Sequence, residues 1–264
     1  MRILLTNDDG IHAPGIEAMH AGLQGLGEIM TVAPLTVQSA TSHGITFHEP
    51  LMTDEVVVND SMRGFAVDGR PADCVKLALR SLWAERFGKD SRPDLVVSGM
   101  NSGANVGINV IYSGTVAAAI EAAFLGVPAI AVSLHIGDPT QIRYGRAASI
   151  ARSVIDHLLG NTIDRHSVIN VNIPRTERDD APMPPIRVVE MNTAAGASSF
   201  EERKSPDGRR YFWACGSGLE FEQTSEGSDV EALLDGAVTV TPLNYDLTDH
   251  ARMRSWSEHV QTMV

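Results

Sequence analysis

The sequence predicts an α/β fold built on a doubly wound, mostly parallel sheet, and three observations predict it. The chain opens on the apolar run Arg2-Ile3-Leu4-Leu5-Thr6, the pattern of a strand buried on both faces. Short apolar runs of the same kind return at 29–33, 93–99, 129–133 and 168–173, with helical patterns between several of them. These runs end abruptly in acidic, small polar, glycine or proline residues, at the strand ends where open α/β sheets form their ligand crevice.

In order along the chain, the first run ends in Asn7-Asp8-Asp9-Gly10, and Gly10 permits a tight turn. Pro14 and Gly15 lead into a helical pattern, Ile16, Met19, Leu23 and Leu26. The strand at 29–33, closed by Pro34, completes a βαβ unit. A polar loop at 36–46 follows, and it sets Ser39 on the same sheet edge as Asp8 and Asp9. Residues 51–68 read as a two-stranded excursion. Pro71 opens a helix with Val75, Leu79, Leu82 and Trp83 on its apolar face. The strand at 93–99 runs into a stretch of glycines and short polar side chains, Met100 to Thr115, and an Ala-rich helix at 116–125. Sixteen residues from Gly99 to Gly114 exceed an ordinary strand-to-helix connection, and long ordered loops tend to be functional. After the strand at 129–133 come a helix at 144–159 and a strand at 168–173, stopped by Pro174. The stretch 193–228 is polar and Gly/Ser-rich, with Tyr211-Phe212-Trp213 as one arm of a hairpin. A short helix at 229–234, a last strand at 238–243 and a terminal helix bearing Trp256, Val260 and Met263 complete the chain. The whole reads as one Rossmann-like domain, 1–264, with the 193–228 hairpin excursion and the 249–264 helix as a C-terminal extension.

Composition narrows the function. A net charge of −12 without any basic run argues against a nucleic acid polymer as partner. Apolar runs shorter than a membrane span and the lack of a charged leader before an apolar segment lead us to expect a cytoplasmic protein that does not bind membranes. Cys74 and Cys215 form no metal-spaced pair and fit a reducing compartment. Absent signatures exclude further classes. A Gly-Lys-Ser/Thr phosphate loop, the dinucleotide glycines, a Gly-x-Ser-x-Gly elbow and paired zinc histidines are all missing.

Two carboxylates at one strand end are the sharpest chemical signal. Held ~4 Å apart, Asp8 and Asp9 repel by ~4 kcal/mol at an effective dielectric of ~20. Water, a raised pKa or a cation must relieve that cost, and oxygen ligands favour Mg²⁺, Mn²⁺ or Ca²⁺. The plainer reading is that both aspartates cap the following turn. The helix start near Ser113, Gly114 and Thr115 suits an anion, although Ser113 or Thr115 serves equally as an ordinary N-cap. His12 and His43 face the crevice as general acids or as solvated loop residues. Arg70 reaches an anion or stays a surface arginine. Together, Asp8, Asp9, Ser39 and the loop from Asn101 to Thr115 combine ligands for a hard cation with a phosphate cradle. That pairing points to phosphate-ester hydrolysis. The competing class is a receiver-like signalling module, which lacks its phosphorylated Asp here because the third strand ends in Ser98-Gly99.

The ordered set Asn7-Asp8-Asp9-Gly10, Ala13-Pro14-Gly15, Ala33-Pro34 with Gln38-Ser39, Ile45-Thr46, Gly69 with Pro71-Ala72-Asp73-Cys74, Ser98-Gly99-Met100-Asn101 with Gly103 and Asn105, Tyr112-Ser113-Gly114-Thr115-Val116 and Thr241-Pro242-Leu243 resembles the SurE family. That family comprises the stationary-phase survival protein E group of metal-dependent 5′-nucleotidases. The resemblance is near full length, close over the first 135 residues and looser from 175 to 235. It implies one divalent ion per subunit, Mg²⁺ or Mn²⁺, or Ca²⁺ in crystals, held by Asp8, Asp9, Ser39 and Asn101. It also implies phosphate contacts at Asn101, Ser113, Gly114 and Thr115, with Asp8, Asp9 and Asn101 as the catalytic set. The implied substrates are nucleoside monophosphates, with 3′-nucleotides and short polyphosphate as further ones, and the implied assembly is a homodimer or homotetramer through C-terminal arms. Ala40 and Arg70 depart from the family pattern, where Gly and Thr are usual.

Overall fold

The structure is a computed structural model that describes residues 1–197, 199–216 and 218–261. Its elements run β1 (Arg2–Thr6), α1 (Pro14–Gly22), β2 (Glu28–Pro34), β3 (Thr53–Val57), β4 (Arg63–Val67) and α2 (Pro71–Leu77). A π-helical turn (Ala78–Leu82) then joins α2 to α3 (Trp83–Phe87). Next come β5 (Leu95–Ser102), a 3-10 segment (Gly107–Tyr112), α4 (Gly114–Phe124), β6 (Ala129–Leu134), α5 (Tyr144–Leu159) and β7 (Val168–Ile173). The chain closes with β8 (Ile186–Val188), β9 (Ser199–Lys204), β10 (Arg210–Cys215), α6 (Asp229–Leu234), β11 (Val238–Leu243) and α7 (His250–Gln261).

Nine strands form one sheet in the order β3-β4-β2-β1-β5-β6-β7-β11-β8. From β4 to β7 every neighbouring pair is parallel, whereas β3 and β11 pair antiparallel with β4 and β7. The fold is therefore α/β with a mostly parallel sheet, as the apolar runs require. The chain moves outward from β1 through β2 to β4, then returns to β5 on the other side of β1. That reversal opens a crevice between the ends of β1 and β5, and Asp8, Asp9 and Asn101 lie at those ends.

Both sheet faces are covered. Ile3 and Leu5 join Ile16, Met19, Ala147, Ile150 and Val154 under α1 and α5, while Leu4 joins Cys74, Val75, Ala118 and Ala122 under α2 and α4. Alternation along β1 thus feeds two cores, which is why the run is apolar throughout.

Several boundaries differ from the sequence reading. The excursion at 51–68 is part of the main sheet, because β4 pairs with β2. The strand read as 93–99 continues to Ser102, and its register against β6 slips between Ser98 and Asn101. That bulge re-aims the strand end carrying Asn101. The long loop to Gly114 is consequently shorter than the sequence suggests, since strand and 3-10 helix take up much of it. The short β8 has no sequence signal of its own, because prolines at 182, 184 and 185 break the pattern ahead of it. The hairpin in 193–228 is β9 paired antiparallel with β10. Phe200, Tyr211, Phe212, Trp213, Met253, Trp256 and Val260 are all exposed on the hairpin and α7, and Met263 lies outside the described residues.

Candidate active site

At the end of β1 the chain turns through Gly10, whose φ of +99° belongs to the left-handed region. The Asn7 side-chain amide donates to the Gly10 carbonyl at 2.8 Å and closes that turn. Asp8 is buried and Asp9 half-buried. Asp8 Oδ1 accepts the Thr115 hydroxyl at 2.5 Å, and Asp9 Oδ2 accepts the Ser102 N–H at 2.8 Å. Each carboxylate is thus fixed from across the crevice, Asp8 by α4 and Asp9 by β5.

Burial pushes the Asp8 carboxyl up to about 6; the Thr115 hydrogen bond pulls the other way, and the neighbouring Asp9 charge pushes it up further. For Asp8, desolvation outweighs the hydrogen bonds, so its ionised form is under-compensated by protein groups alone. A cation at this position would relieve that cost. Turn-capping, the plainer reading of these aspartates, does not describe them. Their side chains bond across to α4 and β5, and the turn is closed by Asn7.

Asn101 contributes an amide whose Nδ2 donates to the Gly103 carbonyl at 2.8 Å, which leaves Oδ1 without a hydrogen-bond partner among the described residues. Ser39 is exposed in the stretch between β2 and β3; its neighbour Gln38 donates its N–H to the Asp8 carbonyl at 2.8 Å. Among the described residues no three His, Cys, Asp or Glu side chains gather into a metal cluster. By chemistry, two carboxylates, an amide oxygen and a hydroxyl are hard donors of the type that Mg²⁺, Mn²⁺ or Ca²⁺ take.

The third side of the crevice is the start of α4. Ser113 is its N-cap, with its hydroxyl oxygen accepting the Val116 N–H at 3.1 Å, so the capping role read for Ser113 is present. Thr115 faces Asp8. A Cβ on Gly114 would come within 2.9 Å of Asp8 Cβ and 3.0 Å of its Oδ2, so only glycine lets the helix start approach the carboxylate this closely. The first-turn N–H groups of Gly114 and Thr115 fall outside the intrahelical ladder at the positive end of α4, and the Thr115 N–H, like its hydroxyl, is directed to the Asp8 carboxylate.

The remaining candidates from the sequence separate. His12 is exposed. His43 is half-buried: its Nε2 lies 2.9 Å from Glu121 Oε2 and its ring stacks on Phe124. Arg70 is exposed, with its guanidinium packed against the Gly44 backbone.

A buried polar web lies beyond the reach of the sequence reading. The Asn105 carbonyl accepts amide hydrogens from Asn170 and Asn172, the Asn105 N–H is donated to Asn172 Oδ1, and the Asn105 amide reaches Ser133 Oγ, all within 2.8–3.0 Å. The one signal for it is two asparagines at i and i+2 in an otherwise apolar strand. Asp229 likewise accepts the N–H groups of Gly107 and Asn192 at 2.8 and 2.9 Å. The cavities beside β4 and α5, about 390 and 460 Å³, contain none of the predicted site residues; the site is an open crevice. No helix among the described residues is long and apolar enough to cross a membrane.

Comparison with known proteins places the chain in a family. The profile described as "Survival protein SurE" matches residues 3–197. The 5′-nucleotidase SurE of Rhodopirellula baltica is 44% identical over 260 residues, covering 97% of this chain and 99% of its own. The protein of the same name from Carboxydothermus hydrogenoformans is 42% identical over 253 residues, covering 95% and 92%. Among solved structures, the crystal structure of the SurE protein from Aquifex aeolicus superposes with a TM-score of 0.80 at 34% identity, covering 97% of this chain and 98% of that one. None of these names supports the receiver-like alternative. The crevice, the topology around it and the near-complete match in length lead to one conclusion: the chain belongs to the SurE family.

Proposed function

We propose that this chain is a metal-dependent phosphomonoesterase that hydrolyses nucleoside 5′-monophosphates to nucleoside and phosphate. The observation that carries the reading is the pairing of Asp8 with the first turn of α4 through Thr115, at the sheet's switch point where β1 and β5 end. The names of its relatives, 5′-nucleotidases, support it.

In this reading Asp8, Asp9, Ser39 and Asn101 hold one Mg²⁺ or Mn²⁺, which when bound polarises the phosphoryl group and offsets its charge. The chain's own residues do the rest. The Gly114 N–H binds a phosphate oxygen at the positive end of α4, with Thr115 turned to Asp8. Thr115 keeps Asp8 oriented through its hydroxyl, and the Ser102 N–H does the same for Asp9. The Gly103 carbonyl accepts the Asn101 amide N–H, which keeps Oδ1 available as a ligand. Recognition through a dianionic phosphate leaves the nucleoside loosely read, which favours monoesters over diesters and admits several bases. Exposed aromatic residues on the β9–β10 hairpin and α7 need cover, and a second copy of the chain in a homodimer or homotetramer supplies it.

The test is phosphate released from AMP, GMP and a phosphodiester in Mg²⁺ or Mn²⁺, with and without EDTA. Monoester hydrolysis abolished by EDTA is expected; full activity in EDTA, or preference for the diester, would overturn the reading. Light scattering is expected to show at least a dimer, and a monomer at micromolar concentration would refute the assembly.

A further inference from the structure

Ser39 lies on a strap, residues 35–52, that has no helix or strand of its own. Scattered backbone and side-chain hydrogen bonds hold it down, and beside Ser39 the Gln38 N–H donates to the Asp8 carbonyl at 2.8 Å. Ser42 donates its N–H to the Tyr112 carbonyl at 3.0 Å and its hydroxyl to the Ile111 carbonyl at 2.7 Å. Thr46 donates its N–H and hydroxyl to the Asp73 carboxylate at 3.0 and 2.8 Å. Between these two anchors His43 reaches α4, with its Nε2 2.9 Å from Glu121 Oε2 and its ring stacked on Phe124 at 5.8 Å.

Glu121 is the anomaly. It is 1% exposed on a helix whose other buried positions beyond Thr115 are all alanine or valine. A buried carboxylate is costly unless paired and hydrogen-bonded. Here the second oxygen, Oε1, has no hydrogen bond among the described residues, and Lys76 Nζ stands 3.9 Å away. An apolar side chain would pack this position at lower cost, so packing does not explain Glu121. Its pairing with the strap does. The same helix holds Asp8 from its first turn through Thr115, so α4 grips two chain segments that border the crevice.

We propose that Glu121 and His43 are positioning residues: together they latch the strap onto α4, so that Ser39 is held toward Asp8 and Asp9 and the affinity for the divalent ion is raised. Neither residue touches the ion or the substrate. The proposal rests on the reading of Ser39 as a ligand, and the experiment separates the two.

Mn²⁺ is titrated calorimetrically into the metal-free full chain as wild type, Ser39→Ala, His43→Ala, Glu121→Ala, Glu121→Gln and the His43→Ala/Glu121→Ala double variant. His43→Ala and Glu121→Ala are each expected to weaken Mn²⁺ binding about 10-fold, the lower end for residues that orient a ligand. The double variant is expected to be no weaker than either single one. Glu121→Gln, which keeps a hydrogen-bonding partner for the ring, is expected to restore most of the affinity. Amide exchange in the metal-free protein is a second readout: in His43→Ala it should accelerate at 36–46 while the strands keep their protection. Wild-type Mn²⁺ affinity and wild-type exchange at 36–46 in His43→Ala would overturn the latch. Wild-type affinity in Ser39→Ala would overturn the ligand assignment beneath it. Should Glu121→Ala fail to fold, His43→Ala, on the surface strap, still decides.

Discussion

The crevice and the C-terminal arms are both rich in polar side chains, yet they are held together in opposite ways. Around the crevice, loops at strand ends are tied by buried and half-buried groups: Asp8 to Thr115, Asp9 to Ser102, Asn105 to Asn170, Asn172 and Ser133, and Asp229 to Gly107 and Asn192. In the β9–β10 hairpin the polar contacts are surface pairs, Arg203 with Glu201, Arg209 with Asp207 and Arg210 with Glu202. Exposed pairs of that kind contribute about 0–1 kcal/mol because water already solvates both partners. A buried group that loses its partner costs about 1–3 kcal/mol, because nothing replaces the bond. The difference teaches where this chain is built to be rigid. Its strand ends are locked before any ligand arrives, whereas its arms carry exposed aromatics on a frame that contributes little by itself.

Breaking the locked side should give the largest effects. Asp8→Ala removes a carboxylate from the proposed ion site and orphans the Thr115 hydroxyl; phosphate release from AMP should become undetectable, as read in a Mn²⁺-supplemented assay. Asn101→Ala should lower kcat by roughly 10²–10³, by analogy with removal of one transition-state contact, with the metal-free melting temperature nearly unchanged. Asp229→Ala leaves the Gly107 and Asn192 N–H groups without acceptors and should cost about 3 kcal/mol in urea unfolding.

The raised Asp8 carboxyl sharpens the comparison through pH. Its folded-state value of about 6 stands above the ordinary 3.8, so the folded state binds the extra proton between those values. Stability of the metal-free protein should therefore fall as pH rises from about 4 to 6, by at most about 3 kcal/mol relative to Asp8→Asn. Urea midpoints across that range measure it, and saturating Mn²⁺ should erase the difference at neutral pH. On the other side of the comparison, Glu202→Ala in the hairpin should leave the urea midpoint unchanged within error. A loss as large as that of Asp229→Ala would show that the arms are locked too.

Much of this was legible in residues taken one strand at a time. The apolar runs of β1, β2, β5, β6 and β7 announce their own burial, because a strand covered on both faces must be apolar at every position. Adjacent Asp8 and Asp9 announce a charge problem wherever they fold, and Gly114 and Ser113 mark the helix start that follows. What the sequence by itself determined was thus the α/β class, the order of the parallel strands' apolar runs and the residue types brought to the strand ends. Only the tertiary structure decided the strand order that puts β5 beside β1, the bulge that turns Asn101, and the pairing of His43 with Glu121 across 78 positions. Those depend on contacts between segments far apart in the chain, and local periodicity carries no information about which distant partner a buried polar group will find. Asp8 shows both halves. Its charge is written in the sequence, but its carboxyl stands at about 6 because folding removes the water around it.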